Sequence, residues 1–434
     1  MTTRRLATLL LILGWALPGA AQTPLALPEA IVRARSQNLD ARASAASERE
    51  AAQRVSEARA GYLPKVDLTE SWQRGNQPVF VFSSLLAQRR FTADAFALDA
   101  LNRPAAIDNF RTAFLVEQSV FDRTTSARVT SAGIGRDLAS AARSLVDDEL
   151  VVAVTAAYGR VLAGESATRS AAAAIVAAQA DREIAGNRRD AGLVTDADVL
   201  QLDVHLARTR ERQIRSASGE RTARAELNQL MSEPLDTVFA LEPAAAAMPV
   251  ELAAPPTVAS RPEVRIASLH QQLAEAAERE ARAAFLPQVA AQGGWEQNGG
   301  AWDTRASSWV FGAVARVTLF HGFADRARLA EAREQVAARK LAREKAETSG
   351  RLDVETATAR LEASRAREIL GRTAVAQAVE SRRIVRDRYE AGLTDVASLL
   401  RAEEAVLEAE AMQTSALVDI LVDTASVRRA LGRP

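Results

Sequence analysis

The chain of 434 residues contains no cysteine. Disulfides, thiolate chemistry and a cysteine-borne lipid are thereby excluded, so any membrane attachment must come from the fold itself. Histidine is scarce: His205, His270 and His321 lie far apart, and none has the spacing of a metal ligand. No glycine-rich phosphate cradle occurs, so energy for any transport must come from a partner. Basic and acidic residues balance at 55 each, and most carboxylates alternate with arginine as on solvated helix faces. Charge therefore argues against a nucleic-acid partner. No constellation for catalysis stands out, and neither an enzyme, a cofactor nor a metal is expected. Beyond the N-terminus no run reaches 18 consecutive apolar residues, so a role in a membrane needs strands rather than helices.

Residues 1–21 read as a secretory signal peptide: Arg4 and Arg5, an apolar run over 6–17, then Gly19-Ala20-Ala21 as small residues for cleavage. Removing them shifts the net charge to about −2. The rest is rich in Ala, Arg and Glu, which favour helix. A helix opens at Leu27-Pro28-Glu29-Ala30 and stops near Gly61-Tyr62-Leu63-Pro64, because the residue before proline is pushed to extended geometry. Val66, Leu68 and Trp72 then alternate with Lys65, Asp67, Thr69 and Ser71, the period of a strand, although Glu70 interrupts the apolar side. Residues 74–111 read as a long ordered loop whose apolar residues pack together, and residues 113–121 as a second strand. A helix of about 70 residues, roughly 105 Å long, follows to Ala191. After Gly192 a helix returns to about Met231. Residues 232–262 carry Pro234, Pro243, Pro249, Pro255, Pro256 and Pro262, which marks an insert or linker.

The second half replays the first. A helix over 265–284 breaks at Ala284-Phe285-Leu286-Pro287, strands are expected at 288–296 and 308–320, and a second long helix ends at Gly392. On the fourth strand Trp309, Phe311, Ala313, Ala315, Val317 and Leu319 share one face. Two stretches anchor the repeat: residues 188–204 (RRDAGLVTDADVLQLDV) and residues 388–404 (RYEAGLTDVASLLRAEE). In each, Arg-x-x-Ala-Gly-Leu precedes a short turn, where glycine suits a left-handed helix end. Thr195 or Asp196, and Thr394 or Asp395, are the candidate caps of the returning helices. From Phe121 to Gly192 is 71 positions, and from Phe320 to Gly392 is 72. Unrelated hairpins have no reason to agree so closely. In the last helix Leu407, Ala411, Thr414, Val418, Leu421 and Ala425 step by four and three, the pattern of a seam for a partner helix.

The fold class is therefore mainly α with a small β part, a duplicated helix–strand–strand–long-helix unit. The expected domains are a signal peptide (1–21), a first repeat (22–240) with strands near 65–72 and 113–121, an insert (232–262) and a second repeat (263–434). Four strands with one apolar and one polar face suit a membrane barrel but cannot close one, and open edges in lipid cost several kcal/mol per unpaired group. Copies of the chain must pool their strands.

The signal peptide, the doubled helix–Leu-Pro–strand unit and the paired Arg-x-x-Ala-Gly-Leu turns resemble the TolC-like outer-membrane efflux family. The resemblance implies a homotrimer: a twelve-stranded transmembrane β-barrel in outer-membrane lipid, continued by a long periplasmic α-helical barrel, with residues 232–262 in an equatorial belt. It implies a passive exit duct of a Gram-negative tripartite efflux or type I secretion system, opened when a periplasmic adaptor protein and an inner-membrane pump dock. On this resemblance Gly192, Leu193, Val194, Thr195, Gly392, Leu393 and Thr394 meet the adaptor. Asp198 and Tyr389 fall at positions that take part in closing the tip, and Ser398 and Arg401 lie where the family's best-known member has acidic residues facing the constriction. A ring of three Arg401 side chains would favour anions; the alternative is a solvated helix residue. The alternative function is a periplasmic coiled-coil scaffold or adhesin stalk without a pore.

Overall fold

The computed structural model describes residues 23–243 and 258–432. The expected signal peptide, and the central part of the proline-rich insert, lie outside these residues. Strand β1 (Thr23–Leu25) leads into α1 (Leu27–Gln37) and α2 (Leu39–Ala60). The single first helix expected from composition is thus two. The break is Asn38, whose side-chain oxygen accepts from the Asp40 and Ala41 backbone N–H groups while its amide donates to Leu230 O at 3.0 Å. Asparagine competes for backbone groups in this way and so starts a new helix.

Strand β2 (Lys65–Gly75) follows. The next segment corrects the loop expectation. It contains α3 (Pro78–Ala87), a 3-10 turn (Ala93–Phe96) and α4 (Leu98–Asn102), before β3 starts at Ile107, six residues earlier than expected, and runs to Phe121. Pro78 at the first helical turn and a continuous apolar run without alternation favour a short helix here. Its apolar residues do pack together: Phe91 stands edge-to-face against both Phe82 and Phe96, at 5.0 Å each.

Helix α5 (Arg123–Asp190) spans 68 residues, and α6 (Asp196–Met231) returns beside it. One 18-residue window of α5 is apolar enough to cross a membrane by composition, and 44% of it is buried inside the protein. Strand β4 (Phe239–Leu241) pairs in parallel with β1. The Tyr158 hydroxyl, midway along α5, locks this pair, lying 2.8 Å from Leu25 O and 2.6 Å from Glu242 O. Around it Leu25, Ala30, Val154, Val161, Leu227, Met231 and Phe239 form the largest core cluster.

The second half gives α7 (Pro262–Ala283), β5 (Gln288–Ala301), β6 (Thr304–Arg316), α8 (Ala324–Glu390; 67 residues) and α9 (Val396–Ala430). The two long helices agree in length within one residue, as the glycine spacing demands. Strand β6 ends four residues before the expected Phe320 because its partner β5 begins at Gln288, opposite Arg316. Val317, Leu319 and Phe320 therefore leave the sheet, and the chain enters α8 through left-handed Gly322 and Phe323. The seam expected on α9 is displaced by about one residue. The side chains buried there include Leu399, Ala402, Val406, Ala409, Ala416 and Val427. Of the expected set, Leu407, Ala411, Thr414 and Val418 line a groove of about 750 Å³ shared with α5 and α6, and Val418 packs on Gly159 of α5.

The four long strands form one antiparallel sheet in the order β2-β3-β5-β6. The register puts Val66, Leu68, Trp72, Phe110, Phe114, Val116, Trp295, Trp309, Phe311 and Ala313 on one face. Lys65, Asp67, Thr69, Ser71, Asn109, Arg111, Glu117, Gln292, Glu296, Asn298 and Ser308 stand on the other, with Leu115 and Val310 packed over Gly294. Glu70, Thr112 and Arg305 hydrogen-bond to one another on the apolar face, so the break at Glu70 is filled by its cross-strand neighbours. The outer strands β2 and β6 have one paired side each among the described residues.

Candidate functional site at the glycine turns

The helical hairpins α5–α6 and α8–α9 end in two turns of the same construction. Gly192 and Gly392 both have φ of +74°. In each, the N–H of the following leucine donates to a carbonyl five residues back, Leu193 to Arg188 and Leu393 to Arg388, both at 2.8 Å. The glycine N–H groups donate to Arg189 O at 2.8 Å and Tyr389 O at 2.9 Å. This double closure satisfies the last helical carbonyls and requires a left-handed residue, which is why glycine recurs. Leu193 and Leu393 are exposed at the extremity of the hairpins.

The cap of the next helix falls three residues after each glycine. In the first turn that residue is Thr195, in the second Asp395. The alternatives left open by sequence thus resolve differently in the two copies, because the second turn holds Thr394 where the first holds Val194. Thr195 forms a reciprocal capping box with Asp198: the Asp198 N–H donates to Thr195 Oγ1 at 3.3 Å and the Thr195 N–H to Asp198 Oδ2 at 2.9 Å. In the second copy Asp395 Oδ1 accepts from the Ser398 N–H at 2.9 Å, and Ser398 Oγ accepts from Arg401 at 3.0 Å. Hydrogen bonds at the helix start hold the Asp395 carboxyl below its ordinary range.

Within one chain, then, Asp198 serves its own turn. Tyr389 is buried in a cluster with Ala185, Val199, Leu202, Val396 and Leu399. Its hydroxyl has no hydrogen-bond partner among the described residues. Arg188 donates to the Tyr389 carbonyl and stacks on its ring, 5.2 Å from the centroid. Burial raises the Tyr389 pKa, Arg188 opposes this, and the nearby Asp198 and Asp181 carboxylates add to it. Arg401 is exposed and borders a groove of about 870 Å³ between α6 and α9, with Leu200, Gln201, His205, Arg208 and Glu404. Burial lowers the His205 pKa, and the Glu404 and Glu403 carboxylates oppose it.

The most tightly built feature near the turns was not anticipated. Arg386 on α8 reaches Asp181 on α5 at 3.1 Å and Glu403 on α9 at 2.7 Å, and Arg382 adds a second contact to Glu403 at 3.4 Å. Asp181 and Glu403 are only 4% and 6% exposed. The network ties one hairpin to the other about two to three helical turns from the glycines. Burial is the main cause that raises the Asp181 pKa, with Arg386 working against it and Glu403 with it. The available signal in the sequence was slight: Asp181 is the first acid after Glu165 in an Ala-rich run. Among the described residues no group of three or more His, Asp or Glu is placed to hold a metal ion.

The fold, a four-stranded sheet with one apolar face joined to paired helices of about 100 Å, is shared with solved outer-membrane channels. The Campylobacter jejuni CmeC outer membrane channel superposes with a TM-score of 0.83 at 14% identity, covering 94% of this chain and 85% of that one. The outer membrane protein VceC of Vibrio cholerae gives 0.79 at 17%, covering 94% and 96%. The open state of the Neisseria gonorrhoeae MtrE outer membrane channel gives 0.73 at 20%, covering 94% and 88%. No curated protein matches. Residues 256–433 match the model of the outer membrane efflux protein family.

Proposed function

We propose that three copies of this chain form a passive efflux duct through the Gram-negative outer membrane. The observation that carries the reading is the sheet: four strands, one apolar face, and two edges left unpaired. Pairing β2 of one copy with β6 of the next gives twelve strands and removes every edge, the requirement for backbone in lipid. The apolar face, with Trp72, Trp295 and Trp309, then meets lipid, and the polar face lines water. Exposed Val176, Leu200, Ile214, Leu341, Leu352, Ile369 and Leu370 on the long helices supply apolar surface for packing between copies. The helices extend the duct into the periplasm, and the β1–β4 pair forms part of a belt around the middle.

The glycine turns are the far end of the helical barrel. Gly192, Leu193, Val194, Thr195, Gly392, Leu393 and Thr394 dock the hairpin tips of a periplasmic adaptor, which also engages an inner-membrane pump. Exposed leucines beside bare turn backbone allow such close approach. Asp198, Tyr389, Ser398 and Arg401 act at the gate, where the unsatisfied Tyr389 hydroxyl is available to a rearranged tip and three Arg401 side chains form a ring that favours anions.

The mature chain, purified in detergent, should sediment as a trimer and conduct in planar bilayers. Arg401→Ala should reduce anion preference without loss of assembly. A detergent-free soluble monomer would refute the duct; unchanged ion selectivity would refute the arginine ring alone.

A further inference from the structure

The residues on the apolar face of the sheet stand in rows across its four strands. Leu68, Phe114, Trp295 and Trp309 make one row, and Glu70, Thr112, Gln297 and Ser307 make the next row towards the outer end. Arg305 reaches across to bond with Glu70 and Thr112 there. On the lipid side of a barrel, charged groups are tolerated at the interfaces and costly in the hydrocarbon. The polar row therefore stands among head groups, and the two tryptophans below it mark the outer edge of the apolar band. The segment carrying α3 lies at this same end and leans on the polar face, where Gln88 Nε2 donates to Asn109 Oδ1 at 3.0 Å.

Seven positions separate Trp309 from Arg316, the last residue of β6. At about 3.3 Å per residue and a tilt of about 40°, they span about 18 Å across the membrane. The apolar band of a barrel is about 25 Å tall, so the sheet alone falls short by about 7 Å, or about three residues. Three residues beyond Arg316 is Leu319. Leu319 is 91% exposed, Phe320 is 72% exposed, and Phe323 stands edge-to-face on Phe320 at 5.3 Å. Leu63, Phe121 and Phe285 are exposed at the other three strand–helix junctions. Phe121 pairs with Val289 beyond a bulge, which returns it to the apolar face. Exposed apolar side chains at all four junctions form a collar, and a surface of that kind is covered.

The charges beside the collar name the cover. Arg59, Arg123 and Arg326 lie at three of these junctions, exposed and without an ion pair among the described residues. Arg326 stands 5.7 Å from the Phe323 ring centroid. The carboxylates at the start of the two long helices are already engaged: Asp122 caps α5, and Asp325 meets Arg328 and His321. We infer that acyl chains of the periplasmic leaflet cover this collar and that Arg59, Arg123 and Arg326 hold phosphates of anionic phospholipids at its rim. Arginine suits the task, because its stem lies along apolar surface while its head reaches phosphate. This rests on the trimeric duct above and adds which lipid it seats, and where.

Because the chain has no cysteine, single cysteines carry a nitroxide without interference. In vesicles of phosphatidylglycerol and phosphatidylcholine, labels at Leu319→Cys and Phe323→Cys should be reached by oxygen in preference to a water-soluble nickel complex. Ala315→Cys within the sheet should behave alike, and Leu393→Cys at the glycine turn should show the reverse. The detergent-solubilised trimer, offered equal amounts of the two lipids, should retain phosphatidylglycerol at least about fivefold better, the attraction of a single arginine. The Arg59→Gln/Arg123→Gln/Arg326→Gln variant should retain both equally. A trimer by sedimentation whose labels at 319 and 323 favour nickel overturns the collar alone. Equal retention by the wild-type trimer, or an unchanged preference in the triple variant, overturns the arginine seat. A monomer by sedimentation overturns the trimeric duct, and this inference with it.

Discussion

Arg386→Ala is the perturbation that best tests how the two hairpins are held together. The guanidinium contacts Asp181 at 3.1 Å and Glu403 at 2.7 Å, and both carboxylates are almost fully buried. Removing one partner of a buried pair costs about 3–5 kcal/mol, because the remaining charge is left without compensation. Two observations lower that figure. The Arg386 side chain is 32% exposed, so solvent screens it, and Arg382 still reaches Glu403. The expected cost is therefore about 2–3 kcal/mol, borne locally by the contact between α5, α8 and α9. Hydrogen exchange at residues 175–205 and 380–405 should speed up by roughly 30- to 150-fold, the equivalent of that free energy, while the core around Tyr158 stays protected. Asp181→Asn removes the stranded charge, so the Asp181→Asn/Arg386→Ala double variant should recover at least about 1 kcal/mol relative to additivity. Additive effects, within about 0.5 kcal/mol, would refute the claim that this network holds the hairpins.

Gly192→Ala should cost about 1 kcal/mol from its left-handed backbone alone, since a Cβ there meets nothing within 4 Å; Gly392→Ala should cost slightly more, because its Cβ would stand 3.1 Å from Arg188 Nη2, and limited proteolysis at the turns reads both. Tyr158→Phe should destabilise the middle of the molecule by about 1 kcal/mol in thermal unfolding, as the hydroxyl donor shared by Leu25 O and Glu242 O is lost. Burial and the Glu263 carboxylate raise the Asp148 pKa, against Arg429 and Arg35. The folded state thus holds that proton more tightly than the unfolded one. Its contribution is full below the ordinary carboxyl pKa and is lost as pH rises through the raised value. Asp148→Asn should therefore gain stability relative to wild type above that window and lose the advantage below it, as followed by unfolding at several pH values; an equal difference at all pH values would contradict the burial argument.

How far the sequence carries differs from place to place. The glycine turns, the long helices and the four strands were legible because each is local: a left-handed glycine, an uninterrupted Ala/Arg/Glu run, an alternation of period two. Local signals failed where a partner decides. The end of β6 is set by where β5 begins, and the seam on α9 by the helix that packs there. Helix α3 hid within an apolar run that periodicity could not assign. Even the caps were ambiguous until the turn length showed that the third residue after glycine takes the role.

The sequence by itself determined that the chain is a duplicated unit of two long hairpins and two strand pairs, since helix length, turn chemistry and strand alternation are written in neighbouring residues. Only the tertiary structure decided that Asp181 meets Arg386 and Glu403, that Tyr158 fastens β1 to β4, and that α3 leans on the polar side of the sheet. Those contacts join residues far apart along the chain, and their energies exist only once helices and strands have fixed the distances between them.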